Sequence, residues 1–167
     1  MTNLNQKKSR FPLLIITGPT ASGKSRLALA LAAELSGEII NADSMQVYKE
    51  LEILTSRPSI TDSKKAPHHL YGFISATTPC SAGIWRKKTI STINNIQKRD
   101  NLPIICGGTG LYIKVLCEGI SPIPKVPNKT LQESEALYDK IGGRGVLKLL
   151  FKAGSYKSAN PNPNDRQ

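Results

Sequence analysis

The sequence predicts an α/β fold: a parallel sheet of the P-loop NTPase type with flanking helices, followed by the start of a small helical insertion domain. Three observations carry that expectation. Residues 18–25 read Gly-Pro-Thr-Ala-Ser-Gly-Lys-Ser, a complete phosphate-cradling loop. The loop follows a short apolar run and opens an Ala/Leu-rich stretch, the strand–loop–helix setting it requires. Short apolar runs then alternate with helical stretches as far as Gly119, the pattern of a parallel sheet with crossover helices.

Each element has a local reason. Leu13–Thr17 is short, apolar and ends in the loop, so it reads as a fully buried first strand. Ser25–Leu35 reads as a helix, with Gly37 expected to stop it. Glu38–Asn41 is a second strand, and Asp43 lies just past its end. His69–Ile74 reads as another strand. Ser81–Arg99 reads as a helix, with Trp85 near its start and Ile90, Ile93 and Ile96 three apart. Leu102–Cys106 is a buried strand that ends in Gly107-Gly108-Thr109-Gly110. Leu111–Glu118 is a helix ended by Gly119.

Beyond Gly119 the character changes. Pro122, Pro124 and Pro127 make a stiff connector. Thr130-x-x-Glu133 reads as a capping box that opens a helix to about Ile141. Gly142–Gly145 reads as a turn, and Val146–Lys152 as a second short helix. The expected organisation is a P-loop core over 1–121, a partial helical insertion over 122–154 and a polar, truncated tail over 155–167.

Composition narrows the function classes. No apolar run in the 167 residues is long enough for a membrane span, and no signal-peptide pattern precedes the first strand, which leaves a cytoplasmic reading. Cys80, Cys106 and Cys117 form no C-x-x-C pair and fit buried thiols in a reducing compartment. The adjacent His68 and His69 read as a polar strand entry rather than as metal ligands. A net charge of +11, most of it beyond the phosphate loop, points to a second polyanion, with nucleic acid the leading candidate.

The loop chemistry is specific. Within the loop of Gly18, Pro19, Thr20, Ala21, Ser22 and Gly23, the backbone N–H groups of all but Pro19 would converge on phosphate oxygens, assisted by the helix N-terminus. Proline, lacking an N–H, contributes only shape. Gly18 and Gly23 are expected to supply backbone conformations that side chains resist. Lys24 brings a point charge, and Ser25 a hydroxyl suited to a phosphate-bound Mg²⁺. What the loop grips is left open by these residues: motor, switch, kinase and other transferases all use it. Motors and switches commonly place an acid at a later strand end, and here that end is Gly107-Gly108-Thr109. The earlier strand does end with an acid, Asp43, able to support Mg²⁺ or to act as a base.

Taken in order, the phosphate loop, Asp43-Ser44-Met45-Gln46-Val47-Tyr48, Pro67-His68-His69-Leu70, Ser81-Ala82-Gly83 with Trp85-Arg86, and Gly107-Gly108-Thr109-Gly110-Leu111-Tyr112 resemble the tRNA dimethylallyltransferases. The resemblance covers about residues 12–125 closely and runs more loosely to Pro163–Gln167. It implies transfer of a dimethylallyl group from its diphosphate to the exocyclic amine of the adenosine beside the tRNA anticodon. It implies Mg²⁺, a tRNA anticodon stem-loop and dimethylallyl diphosphate as ligands, no membrane partner, and a monomer. By the same resemblance, Asp43 and Thr109 are the catalytic residues. Asp43, Ser44, Met45, Gln46, Thr109 and Gln167 meet the tRNA. Thr109 has a second reading as the N-cap of the helix that follows it. Arg86, Lys87 and Lys88 could meet RNA phosphate or simply form a solvated helix face.

Gln167 is where the family's Gln-Arg motif would begin, and family members continue for about as long again. The expectation is therefore a front half with its diphosphate site mostly present, short of full transferase activity. Three alternatives stay open: a small-molecule or nucleotide kinase, prenyl transfer to a free adenine nucleotide, and an inactive RNA-binding remnant. Arg144 is the one arginine of the 130–152 helices, fewer than a kinase lid would carry.

Overall fold

A computed structural model describes residues 12–121, 126–154 and 162. The chain divides into two compact units, Met1–Ile120 and Ser121–Gln167. The first unit is a four-stranded sheet with helices on both faces. Its strands are β1 (Leu14–Thr17), β2 (Gly37–Asn41), β3 (His68–His69) and β4 (Leu102–Gly107), in the spatial order β1-β4-β2-β3. All three pairings are parallel, so every strand ends at the same edge of the sheet. The helices are α1 (Lys24–Glu34), α2 (Ile60–Lys65), α3 (Ala82–Gln97) and α4 (Gly110–Glu118).

The core lies on both faces of the two central strands, β2 and β4. Alternation divides it: Ile40, Ala42 and Ile105 pack with Trp85, Ile96, Tyr112 and Val115 on one face, and Ile39, Ile104 and Cys106 pack with Ala28 and Ala32 of α1 on the other. Trp85 stacks on Tyr112 at 4.3 Å between ring centroids, and this pair joins α3 to α4. β1, expected to be fully buried, is only half-buried because it forms one edge of the sheet.

Several local expectations change. Gly37 does not stop α1. Ser36 makes the turn with φ +51, and Gly37 already belongs to β2, where a Cβ would sit 2.6 Å from Ile104 Cδ1. The strand expected over His69–Ile74 shrinks to His68–His69, with one isolated bridge between Tyr48 and Ile74. Helix α2 has no apolar periodicity to announce it, yet its N-terminus carries a complete Ser59–Asp62 capping box. Cys106 is buried, whereas Cys117 is exposed.

In the second unit the expected helix pair forms: α5 (Asn128–Lys152) is two helical stretches that meet at a kink. The chain leaves helical geometry only at Gly142, with φ +66, so the four-residue turn contracts to a kink at one glycine. The helix starts before Thr130, behind Pro127, so the Thr130–Glu133 capping box does not form. Gln167 and most of the 155–167 tail lie outside the described residues. Among the described residues no helix is long and apolar enough to cross a membrane.

Candidate functional site

Parallel pairing brings four strand ends together: Gly18 after β1, Ala42 after β2, Leu70 after β3 and Gly108 after β4. Ligands of open parallel sheets bind at such an edge. Glycine makes the close approach possible. A Cβ on Gly107 would lie 2.2 Å from the Ala42 carbonyl carbon, and one on Gly108 would lie 3.3 Å from Gly18 O. Any side chain at 107 would push β4 away from β2 where the site is built.

The phosphate loop turns through two left-handed residues, Gly23 at φ +83 and Ala21 at φ +62. The expectation for Gly23 holds. Gly18 has no positive φ, and the second strained position is Ala21, a residue with a side chain. The Pro19 carbonyl accepts hydrogen bonds from Ser22 Oγ, at 2.8 Å, and from Lys24 Nζ. The ammonium thus rests on its own loop, beside the start of α1. That helix has no side-chain cap and no acidic residue in its first turn. Its exposed N–H groups and partial positive charge are left for an anion. By contrast, the N-termini of α2 and α3 are capped by Ser59 and Ser81.

Asp43 sits half-buried, two residues beyond β2. Its Oδ1 accepts the Met45 N–H at 2.8 Å, an Asx-type turn that aims the carboxyl and leaves Oδ2 for a ligand. Thr109 occupies the N-cap position of α4 but makes no capping bond. Its Oγ1 instead accepts the Ser44 N–H at 2.9 Å and donates to Ser44 Oγ at 3.3 Å. The Thr109 N–H donates to Ala42 O at 3.1 Å. Thr109 therefore locks the end of β4 to the Asp43–Ser44 segment, and α4 keeps an open N-terminus. Asp43, Ser44 and Thr109 come together as expected.

Met45 is half-exposed beside them. Gln46 is tied to a neighbouring loop. Its side-chain Nε2 donates to Thr55 O at 2.8 Å and tethers the 49–56 loop. Arg86 is likewise taken up by the fold: its Nε donates to Val115 O at 2.7 Å near the end of α4, where a cation complements the helix dipole. Lys88 lies 5.3 Å from the Phe73 ring centroid. Of the three basic residues expected to meet RNA phosphate or solvent, only Lys87 has neither contact.

Three residues of the site have no motif to announce them. Burial pushes the Tyr71 phenol well above its ordinary value, and the neighbouring Cys106 and Asp43 add to the shift. Burial also raises the Cys106 thiol, an effect opposed by nearby Lys24 and by a hydrogen bond with Ser25. Tyr71 packs against the cluster that contains Cys106, with Asp43 near the phenol and Lys24 and Ser25 near the thiol. The third is Asn41, a polar residue in a strand otherwise apolar at its end; that anomaly was its sequence signal. Among the described residues no cluster of three His, Cys, Asp or Glu could hold a metal ion. The exposed Ser25 hydroxyl is compatible with Mg²⁺, which commonly takes few protein ligands and completes its shell with phosphate and water. His68 and His69 bond within the fold, to Ala66 O and to Glu38.

Residues 46–167 match the IPP transferase family model and residues 11–71 the isopentenyl transferase model. The chain is 46% identical over 156 residues to a tRNA dimethylallyltransferase of Parvibaculum lavamentivorans, covering 92% of this chain and 49% of that protein. It is 45% identical over 155 residues to one of Pelagibacter ubique, covering 93% and 50%. The chain thus spans about half the length of the curated relatives it matches. Among solved structures, the full-length tRNA isopentenylpyrophosphate transferase of Bacillus halodurans aligns with a TM-score of 0.65 at 30% identity, over 92% of this chain and 51% of that one. A eukaryotic dimethylallyltransferase acting on tRNA aligns with a TM-score of 0.73 at 28% identity, over 92% and 38%. The α/β fold expected from the sequence is the fold of these proteins.

Proposed function

The chain belongs to the IPP transferase family, and from that premise we propose that its sheet edge serves prenyl transfer to tRNA rather than phosphate transfer. The donor is dimethylallyl diphosphate, and the acceptor is the exocyclic amine of the adenosine next to the anticodon. The observation that carries the reading is the aimed carboxylate of Asp43, half-buried beside an uncapped phosphate loop and locked in place through Ser44 and Thr109.

The chemistry follows from the residues. The allylic C–O bond of the donor breaks, and its electron pair leaves with the diphosphate. Loop N–H groups, the α1 N-terminus and Lys24 stabilise the charge that accumulates there. To meet it, Lys24 exchanges the Pro19 carbonyl for a phosphate oxygen. The adenine nitrogen attacks the allylic carbon, a C–N bond forms, and the nitrogen's proton passes to Asp43. Mg²⁺, held by Ser25 Oγ and diphosphate oxygens, would supply further neutralisation of the leaving group. An adenine must leave its stack to be reached, which suits a site at an open sheet edge. The basic surplus of the chain favours an RNA acceptor over a free nucleotide.

The test is transfer of labelled dimethylallyl from its diphosphate to anticodon stem-loop RNA, under single-turnover conditions with protein in excess. Label on the adenine amine, dependent on Asp43, supports the reading. Phosphate transfer from ATP to a small acceptor, with no prenyl transfer, would replace it with the kinase reading. RNA binding with neither reaction would select the remnant.

A further inference from the structure

We propose that Asn41 is the positioning residue for Asp43. Asn41 closes β2 and is fully buried between Ile40 and Ala42. A buried amide is tolerated only when its polar atoms are bonded. Here the side chain's three hydrogen bonds go to two residues, Asp43 and Leu70. Asn41 Oδ1 accepts the Asp43 N–H at 2.8 Å. Its Nδ2 donates to Asp43 O at 3.0 Å and to Leu70 O at 3.1 Å. One side chain therefore brackets Asp43 at both its N–H and its carbonyl, which sets the backbone from which the carboxyl projects.

The bracket is itself held. Trp85 Nε1 donates to the Asn41 carbonyl at 2.8 Å, and Trp85 is stacked on Tyr112. The third bond reaches Leu70, which stands at φ +62, a conformation that leucine resists. That bond ties the chain leaving β3 to the Asp43 backbone. Asn41 thus fixes Asp43 and the end of β3 together. Only a side chain that presents an acceptor and a two-hydrogen donor on one short stem can do this. Aspartate, of the same shape, would face two carbonyl oxygens without a donor. Serine could accept from Asp43 but not span to Leu70.

The inference rests on the reading of Asp43 as proton acceptor, yet its first measurement does not. Asn41→Ala, which removes the acceptor and the donor together, should accelerate amide exchange at Asp43 at least about tenfold, the loss of one local bond. The Ile39 amide, bonded to Pro67 O, should keep its rate. Diphosphate affinity should stay within about twofold, since the phosphate loop is untouched. Unchanged exchange at Asp43, or an equal rise at Ile39 and Asp43, would overturn the proposal, the second by showing general loosening of β2.

The second measurement is kinetic. Asn41→Ser should lower kcat for prenyl transfer with KM for the donor unchanged. The Asn41→Ser/Asp43→Asn pair should be no slower than Asp43→Asn alone, because two residues acting as one unit are not additive. A change confined to KM, or multiplicative losses, overturns the positioning role. If the protein transfers no prenyl group, the proposed function fails, while exchange at Asp43 still decides for or against the bracket.

Discussion

Two carboxylates stand at opposite ends of the same strand, and the fold treats them in opposite ways. Glu38, near the start of β2, is 3% exposed. Its Oε1 accepts Arg99 Nε at 3.1 Å, Arg99 Nη2 at 2.8 Å and Asn101 Nδ2 at 2.8 Å, and its Oε2 takes Arg99 Nη2 and His69 Nε2. Burial alone would raise its pKa, but the hydrogen bonds from Asn101, Arg99 and His69 outweigh burial and hold it below the usual carboxylate range. Asp43, past the end of β2, takes one backbone N–H on Oδ1 and remains half-buried. Glu38 is saturated by protein donors from β3 and from the turn that leads into β4, so it stabilises structure. Asp43 is aimed but takes a single bond, as the proposed role of proton acceptor requires. An ionised group becomes a reagent when the fold supplies orientation without supplying all of its partners.

The same amide substitution at each end is the sharpest way to break this contrast. Asp43→Asn should slow prenyl transfer by about 10²–10⁴, the usual contribution of a positioned base, while leaving the melting temperature unchanged. Single-turnover labelling and thermal unfolding check the two halves of that statement. Glu38→Gln should do the reverse. It turns one acceptor into a donor facing donors and removes the charge opposite Arg99, so about 2–4 kcal/mol of stability should be lost in urea unfolding. Diphosphate affinity should be preserved in that variant, provided it is measured where the protein is still folded.

A smaller effect is expected at the phosphate loop. Lys24→Ala should weaken binding of dimethylallyl diphosphate by about ten- to a hundredfold, the range of a lost charge-assisted hydrogen bond, with stability changed by less than about 0.5 kcal/mol. Isothermal calorimetry measures the first and urea unfolding the second. The smallest effect is a pH dependence. The folded-state pKa of Glu38 lies below its unfolded value of 4.5, so its contribution is fully present above that value and fades as pH falls through the folded one. The melting temperature of the native chain should drop on acidification below pH 4.5, and that of Glu38→Gln should drop less. Parallel curves would show that the amino-end cluster is not what acid breaks.

Legibility in the sequence follows the same division. The phosphate loop, the strands β1, β2 and β4 and the helices α1, α3 and α4 were readable because each is written in a few consecutive residues, whereas the strand expected over His69–Ile74 shares only His69 with β3. Loop glycines, apolar runs and helical spacing act within one element. Helix α2 escaped because six residues are too few to show a period, although its Ser59–Asp62 capping box was there to be read. The 128–152 segment was legible as two helices, but the turn expected over Gly142–Gly145 contracts to Gly142 alone and the Thr130–Glu133 capping box does not form. Asp43, Ser44 and Thr109 were named through resemblance, and the structure brings them together at one sheet edge. Gln46 was placed in the site by the same resemblance, and the structure shows its side chain tied to the 49–56 loop.

The sequence by itself determined the elements and the anion-binding end of the first helix, because those depend on contacts between near neighbours along the chain. Tertiary structure alone decided which distant groups meet. Ser44 and Thr109 are 65 residues apart, Glu38 and Arg99 61, and Asn41 and Leu70 29. Each of those pairs depends on the strand order β1-β4-β2-β3, which places β4 and β3 on either side of β2. That order is set by how whole faces bury against one another, and no local stretch of residues encodes it.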